Sequence, residues 1–214
     1  MEYIIEILPP IYDGFKISLF VYAMTMIFAL PIGMIVALIT DLHPIIKRPV
    51  AIFTWIIRGT PLLLQLYVAM YGIPLIFNIR MNRLFAGSVT FIVNYTAYFI
   101  EIFRSGLAII PLGQWQAGEV LGLSKVQVIW YIILPQMFRN TLLPLINEAI
   151  TLVKDTSLLA AIAIGEMLRN AREIVARDLR VDALIVAGAF YLMFSLLVVF
   201  IGKLLEERLL KQQT

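Results

Sequence analysis

The chain has 214 residues, 61% of them hydrophobic and 14% charged, with a net charge of +3 and no cysteine. A charged fraction well below the roughly 25% of soluble domains, in a chain too short to bury so much apolar surface, excludes a soluble globule and leaves a polytopic α-helical membrane protein. A β-barrel is excluded because alternating segments of about ten residues are not seen, Cys-based metal sites and disulfides because there is no Cys, and a nucleic-acid surface because so small a charge reads as interfacial Lys and Arg.

Taken in order, the N-terminus carries Glu2, Glu6 and Asp13 and no basic region. It does not read as a signal peptide, and the first span is expected to serve as its own uncleaved anchor. Spans are drawn wherever about 20 apolar residues can cross a bilayer. The first is Phe15 to Thr40, with Pro31 and Gly33 inside and Lys16 placed to snorkel. The second is Val50 to Phe77, with Arg58 and Pro61 inside, where a kink frees backbone carbonyls. The third is Leu84 to Ile110, the fourth Leu142 to Ile164 and the fifth Ala183 to Gly202. Gly165 to Asp182 is a charged amphipathic segment, expected as a surface helix. There is no repeat and no linker, so residues 1–214 read as one membrane domain. Lys47, Arg48, Lys125, Arg139, Lys203, Arg208 and Lys211 fall on one side; Arg80, Arg83, Arg169, Arg172, Arg177 and Arg180 fall on the other. The positive-inside rule separates these sets weakly, and the acidic N-terminal tail tips the first set to the cytoplasm.

Pro111 to Gln136, between the third and fourth spans, is patterned as two short helices and a turn. Gly122 is the expected break, and Ser124 with Gln127 fits a capping box. Pattern alone leaves two readings open: a docking surface on the aqueous face, or a connector.

Stepping 100° per residue gives three spans a polar stripe. Thr54, Arg58, Pro61 and Gln65 share a wedge of about 60° on the second. Thr90, Asn94, Tyr98, Glu101 and Ser105 share about 80° on the third. Asn147, Glu148, Thr151, Lys154 and Asp155 share about 120° on the fourth. The first and fifth spans have none and are expected to face lipid. Charges at membrane depth cost several kcal/mol unless they face a partner or water, and a transport site belongs there. The candidate path residues are therefore Arg58, Gln65, Asn94, Tyr98, Glu101, Glu148, Thr151, Lys154 and Asp155. The alternative is a set of packing ion pairs, favoured for Glu101 with Arg104 at i, i+3. Three polar faces do not enclose a path, so a second subunit is expected, most simply by two-fold symmetry.

No G-x-x-x-x-G-K-S/T, G-x-S-x-G, H-E-x-x-H or Gly-rich dinucleotide motif is present. His43, the one histidine, sits in a loop beside Pro44. No catalytic residue, metal site or cofactor is expected in this chain.

Four stretches, in order and over nearly the whole chain, resemble the permease subunits of ABC importers for polar amino acids, the group serving histidine, arginine, lysine, glutamine and glutamate. Arg58-Gly59-Thr60-Pro61-Leu62-Leu63 with Gln65 is similar to the family's R-G-T-P-L-L-x-Q. Ala97-Tyr98 through Glu101 and Arg104 to Gly106 is similar to A-Y-x-x-E-x-x-R-x-G. Pro111 to Gln136 resembles the EAA loop, with its glycine at Gly122 and Leu-Pro-Gln at Leu134 to Gln136. Lys154-Asp155-Thr156-Ser157-Leu158 matches K-D-T-S-L.

The resemblance implies a type I ABC importer fold of five spans, N-terminus outside and C-terminus cytoplasmic, in a bacterial-type cytoplasmic membrane. It implies a second permease copy, two ATPase subunits that carry ATP and Mg, an extracytoplasmic binding protein and an amino-acid substrate, with lipid around and no nucleic acid. Gln114, Gln116, Ala117, Gly118, Glu119, Gly122, Leu123 and Ser124 would form the ATPase-coupling socket. Glu-Ala-Ala reads Gln116-Ala117-Gly118 here, which removes a charge and lowers helix propensity by up to about 1 kcal/mol at Gly118. Glu119 offers a nearby acid. Lys154 and Arg58 are candidates for a substrate carboxylate. Asp155, Glu148 and Glu101 are candidates for an ammonium or basic side chain, a mild tilt to basic amino acids. The rival class is an ion-gradient-driven secondary transporter.

Overall fold

The computed structural model describes residues 2–211; Met1 and residues 212–214, the ends of the expected 1–214 unit, lie outside it. The described chain is helical, in the order α1 (Glu2–Leu42), α2 (Pro44–Gly59), α3 (Leu62–Tyr67), α4 (Ile73–Phe77), α5 (Arg83–Ala108), α6 (Leu112–Val120), α7 (Lys125–Val128), α8 (Leu134–Asp155), α9 (Met167–Asp178) and α10 (Asp182–Lys211). π-helical turns join α3 to α4 and α7 to α8, and a 3₁₀ turn, Thr156–Ile162, follows α8.

α5 is the central element. Its apolar window is 61% buried, against 22% for α1 and 17% for α10. It starts where the Asn82 side chain caps the Leu84 and Phe85 N–H groups at 2.8 and 3.3 Å. Phe91, Tyr95, Phe99 and Phe103 form its buried spine, at the i, i+4 spacing that aligns side chains on one helical face.

α1 is longer than its expected span. Its 41 residues extend about 60 Å at 1.5 Å per residue, twice the roughly 30 Å hydrocarbon layer. One crossing therefore needs only about half of it, and the N-terminal part, with Glu2, Glu6 and Asp13, is the part least suited to the layer. The expectation that this helix faces only lipid is corrected. One side carries Ser18, Thr25, Ala29, Gly33, Ala37 and Thr40, all fully or nearly fully buried, and packs on α5. Small residues at this spacing let two membrane helices approach closely. Thr25 and Thr40 return their hydroxyls to the Val21 and Val36 carbonyls of their own helix. Ile27, Phe28 and Ile35 lie on its exposed side.

The contact is tightest at Gly33, where an added Cβ would meet Phe99 Cβ at 2.6 Å and the Ile100 backbone nitrogen at 3.2 Å. Backbone cannot yield as a flexible side chain can. Gly33→Val is expected to lower stability by about 3 kcal/mol, the upper end of overpacking costs. Gly188→Val, at a site with nothing within 4 Å, should change it by less than about 0.5 kcal/mol. Thermal unfolding of the two variants in one detergent checks the contrast, and equal losses would sink the close-packing account.

The expected second span is not one helix. α2 and the Leu62–Phe77 helix meet at 98°. Thr60 is extended (φ −116°, ψ 144°), as steric conflict with a following proline favours, and Pro61 at ψ 134° completes the corner. Each arm spans about 24 Å at 1.5 Å per residue, short of the hydrocarbon thickness. Among the described residues, α1, α5 and α10 are each long and apolar enough to cross a bilayer, and the bent pair passes only together.

The stretch expected as the fourth span, Leu142 to Ile164, is not among the helices long and apolar enough to cross a bilayer, and its helix is shifted toward the N-terminus. α8 begins at Leu134 and ends at Asp155, where the Thr156 hydroxyl bonds the Val153 carbonyl at 2.7 Å and the chain tightens into the 3₁₀ turn. Lys154 and Asp155 thus stand at a helix C-terminus, not in mid-helix. Asp155 still lies beside the midpoint of α5, because Tyr95 reaches it.

α9 is the expected amphipathic helix. It packs against the N-terminal end of α1 and the start of α10 through Ile7, Ile11, Met167, Ala171, Ile174, Ala183 and Ala187. Glu166 caps its first turn at 2.8 and 2.7 Å and accepts from the Tyr191 hydroxyl at 2.7 Å. Asn170 Nδ2 donates to the Pro10 carbonyl at 2.7 Å. At the far end Tyr3 donates to Asp178 at 2.8 Å. A bidentate Arg177 guanidinium holds the Asp178 carboxyl down to about 2, so this end of the tie stays ionised well into acid.

Candidate functional site

The break at Gly59–Pro61 makes one wall of a cavity of about 470 Å³. α5 supplies Asn94, Tyr95 and Tyr98, and α8 supplies Glu148, Thr151 and Asp155. Arg58, the penultimate residue of α2, lies 5.2 Å from the Tyr98 ring centroid, within cation–π reach. Across the cavity the Tyr95 hydroxyl donates to Asp155 Oδ2 at 2.8 Å. One guanidinium and two carboxyl groups therefore face one polar space, which is open on one side where Arg58 and Thr151 are exposed.

Of the nine candidate path residues, Arg58, Asn94, Tyr98, Glu148, Thr151 and Asp155 line this cavity. Gln65 does not. The bend breaks the 100° stepping, so Gln65 does not continue the face of Arg58; it bonds the corner instead. Lys154 is exposed and lies outside the lining. Glu101 sits further along α5, bound by Arg104 Nη1 at 2.8 Å and the Thr54 hydroxyl at 2.7 Å. That is the expected i, i+3 pair with a third partner added. Glu101 and Arg104 line two further cavities, one of about 410 Å³ shared with Arg58 and one of about 320 Å³ with Asp41 and Lys47. The three cavities follow one another along α5 and share lining residues, Arg58 between the first pair and Glu101 with Arg104 between the second. Tyr95, absent from the stripe reading, is the functional-site residue that spacing did not reveal. It lies one step from Asn94, on the side that turns to α8.

The stretch 111–136 folds as a packed hairpin. α6 ends in a Schellman motif: Leu123 N–H bonds the Gly118 carbonyl at 3.1 Å, Gly122 N–H bonds the Glu119 carbonyl at 3.0 Å, and Gly122 has φ +74°, where glycine is at home. Ser124 and Gln127 close the capping box, at 3.4 and 2.8 Å. Gly118 is the buried residue of α6. A Cβ there would stand 2.6 Å from Val128 Cγ2, so the loss of helix propensity at Gly118 is matched by closeness to α7. Gln116, Ala117, Glu119, Val120 and Leu121 are exposed. Val120 and Leu121, at the C-terminal end of α6, expose 88 and 74% of their surface, and Leu112, its first residue, exposes 71%. Among the described residues no group of His, Asp and Glu is arranged to hold a metal ion.

Residues 29–211 match the family described as "Binding-protein-dependent transport system inner membrane component". The chain belongs to this family. Its members are inner-membrane transport components, and the match runs from the second half of α1 to the end of α10. The chain is 38% identical over 184 residues to the L-cystine transport system permease protein TcyB of Bacillus subtilis, covering 83% of this chain and 78% of that protein. It is 32% identical to the arginine transport system permease protein ArtQ of Bacillus subtilis, covering 94% of this chain and 93% of that one. It is 34% identical to the glutamine transport system permease protein GlnP of Escherichia coli, covering 94% of each. A solved amino acid ABC transporter with histidines superposes with a TM-score of 0.85 at 27% identity, over 96% of this chain and 97% of that one. The MetNI methionine ABC transporter gives 0.75 at 16% over 98% of this chain and 99% of that one, a likeness of fold. The type I ABC importer permease fold implied by the four motifs is thus the fold of this family member.

Proposed function

We propose that this chain is the permease subunit of an ATP-driven importer of polar amino acids, with basic side chains favoured. The observation that carries the substrate class is the cavity between Arg58 and the Asp155–Tyr95 pair. Arg58 is suited to an α-carboxylate, and Asp155 and Glu148 to an ammonium or guanidinium. The named relatives carry arginine, glutamine and cystine, which is consistent with a site built for the zwitterion.

In this reading α1, the bent α2–α4 unit, α5, α8 and α10 are the five spans, N-terminus outside and C-terminus cytoplasmic. α9 lies outside, and the hairpin 111–136 is cytoplasmic. A second copy closes the open side of the cavity. ATP and Mg are held by two separate ATPase subunits, whose dock is α6, and a binding protein delivers substrate from outside. ATPase closure moves α6, and with it α5 and α8 at either end of the 111–136 stretch, so the cavity alternates its opening. Lys154 faces no described cavity, and its place in the path rests on the second copy.

The test is uptake into proteoliposomes holding this chain, the ABC ATPase that co-purifies with it and the soluble binding protein. Uptake of labelled arginine or glutamine that requires ATP is expected. Uptake driven by an ion gradient without an ATPase would establish the secondary-transporter reading instead.

A further inference from the structure

Pro61 has no N–H, so the Ile57 carbonyl four residues earlier loses its helical donor. The side chain of Gln65 supplies the replacement. Its Nε2 donates to the Ile57 carbonyl at 2.8 Å, to Thr60 Oγ1 at 2.8 Å and to the Thr60 carbonyl at 3.2 Å. Its Oε1 accepts from Asn94 Nδ2 of α5 at 3.0 Å. One amide therefore joins the last turn of α2, the corner, α3 and the central helix. Only an amide does this. The Ile57 and Thr60 carbonyls need a donor and Asn94 needs an acceptor, so a carboxylate meets one demand and leucine neither.

We propose that Gln65 is the pin that fixes the 98° corner and thereby holds Arg58 over Tyr98 at the cavity. It is a positioning residue and not a substrate contact. Its consequence for transport rests on the reading of the cavity as the substrate path; its action on the corner does not.

The chain has no cysteine, so Trp55→Cys and Leu75→Cys, at exposed positions on the two arms, take nitroxide labels without competition. In lipid nanodiscs, with doubly labelled chain diluted into an excess of unlabelled chain, the unaltered corner should give one narrow inter-arm distance. Gln65→Leu should broaden that distribution and shift it to longer distances. In the reconstituted transporter it should raise the KM for uptake by about tenfold, with maximal rate little changed, the pattern of a lost binding contribution. Adding Pro61→Ala to Gln65→Leu returns a backbone N–H to Ile57. Thermal stability should then recover while the long distance and high KM persist, a separation that a merely structural role would not produce. Should Gln65→Leu not assemble, Asn94→Ala removes the tie to α5 at a residue that also lines the cavity, so it is judged by the inter-arm distance alone and should broaden the distribution to a lesser degree. A narrow, unshifted distribution in Gln65→Leu, or in Asn94→Ala where that variant stands in, overturns the pin. A lost corner with unchanged uptake confirms the pin and overturns the assignment of Arg58 to the substrate.

Discussion

Leu121→Asp combined with Val120→Asp is expected to abolish capture of the partner ATPase while leaving the permease folded. Both side chains are largely exposed in the isolated chain. Burying a Leu or Val in a partner's cleft contributes about 1.5–3 kcal/mol each, and a factor of ten in affinity is about 1.4 kcal/mol. Loss of the two, with unpaired charge forced into the interface, should weaken association by roughly a thousandfold. Stability should move by less than about 0.5 kcal/mol per substitution, because neither side chain packs on a neighbour. Gln116→Glu is the informative companion. Gln116 is exposed and the nearby Glu119 already offers a carboxylate, so restoring the motif acid should change capture little. Co-purification from membranes in which permease and ATPase are expressed together checks both variants. Wild-type recovery of the ATPase with the double aspartate variant would show that the dock is not this patch. A large gain with Gln116→Glu would show that its grip rests on charge.

How much of this was legible in the sequence follows from which interactions are local. The Ser124–Gln127 box and the break at Gly122 are decided within a few residues, and both form as the pattern predicts. The Glu101–Arg104 pair is one helical turn long and also forms. A local rule fails across a break. Stepping 100° per residue is valid only while the helix continues, and Pro61 ends it, so Gln65 turns away from the face that stepping assigns it. The same sequence held the corrective signal. A proline four residues after Ile57 leaves a carbonyl in need of a donor, and a glutamine lies one turn beyond. The α1 stripe of Ser18, Thr25, Ala29, Gly33, Ala37 and Thr40 carries three widely spaced hydroxyls and no charge, so polar periodicity alone does not mark it. Tyr95 joins the cavity because α8 ends at Asp155 and presents that carboxyl to α5. Such a long-range meeting is not encoded in the periodicity of either helix.

Asp155→Asn should cut uptake while assembly, stability and ATPase capture persist. The substitution is close to isosteric, and the amide oxygen still accepts from the Tyr95 hydroxyl, now 2.8 Å from the carboxylate. What it removes is the charge. Hydrogen bonds to a charged group contribute about 1.5–3 kcal/mol, which corresponds to roughly ten- to hundredfold in uptake at low substrate concentration. The loss should be graded by substrate. A guanidinium or ammonium side chain that reaches Asp155 loses its counter-charge, whereas glutamine loses only part of a hydrogen bond. Arginine uptake should therefore fall much further than glutamine uptake. Ser157→Ala, two residues on and outside the cavity lining, separates a site effect from a general disturbance of the α8 end and should leave that ratio unchanged. The measurement is ATP-dependent uptake of both amino acids by the same proteoliposome preparation. Unchanged arginine uptake in Asp155→Asn would remove Asp155 from the path and leave it as a packing partner of Tyr95. An equal loss for both substrates would assign the carboxylate to the α-ammonium that all of them share.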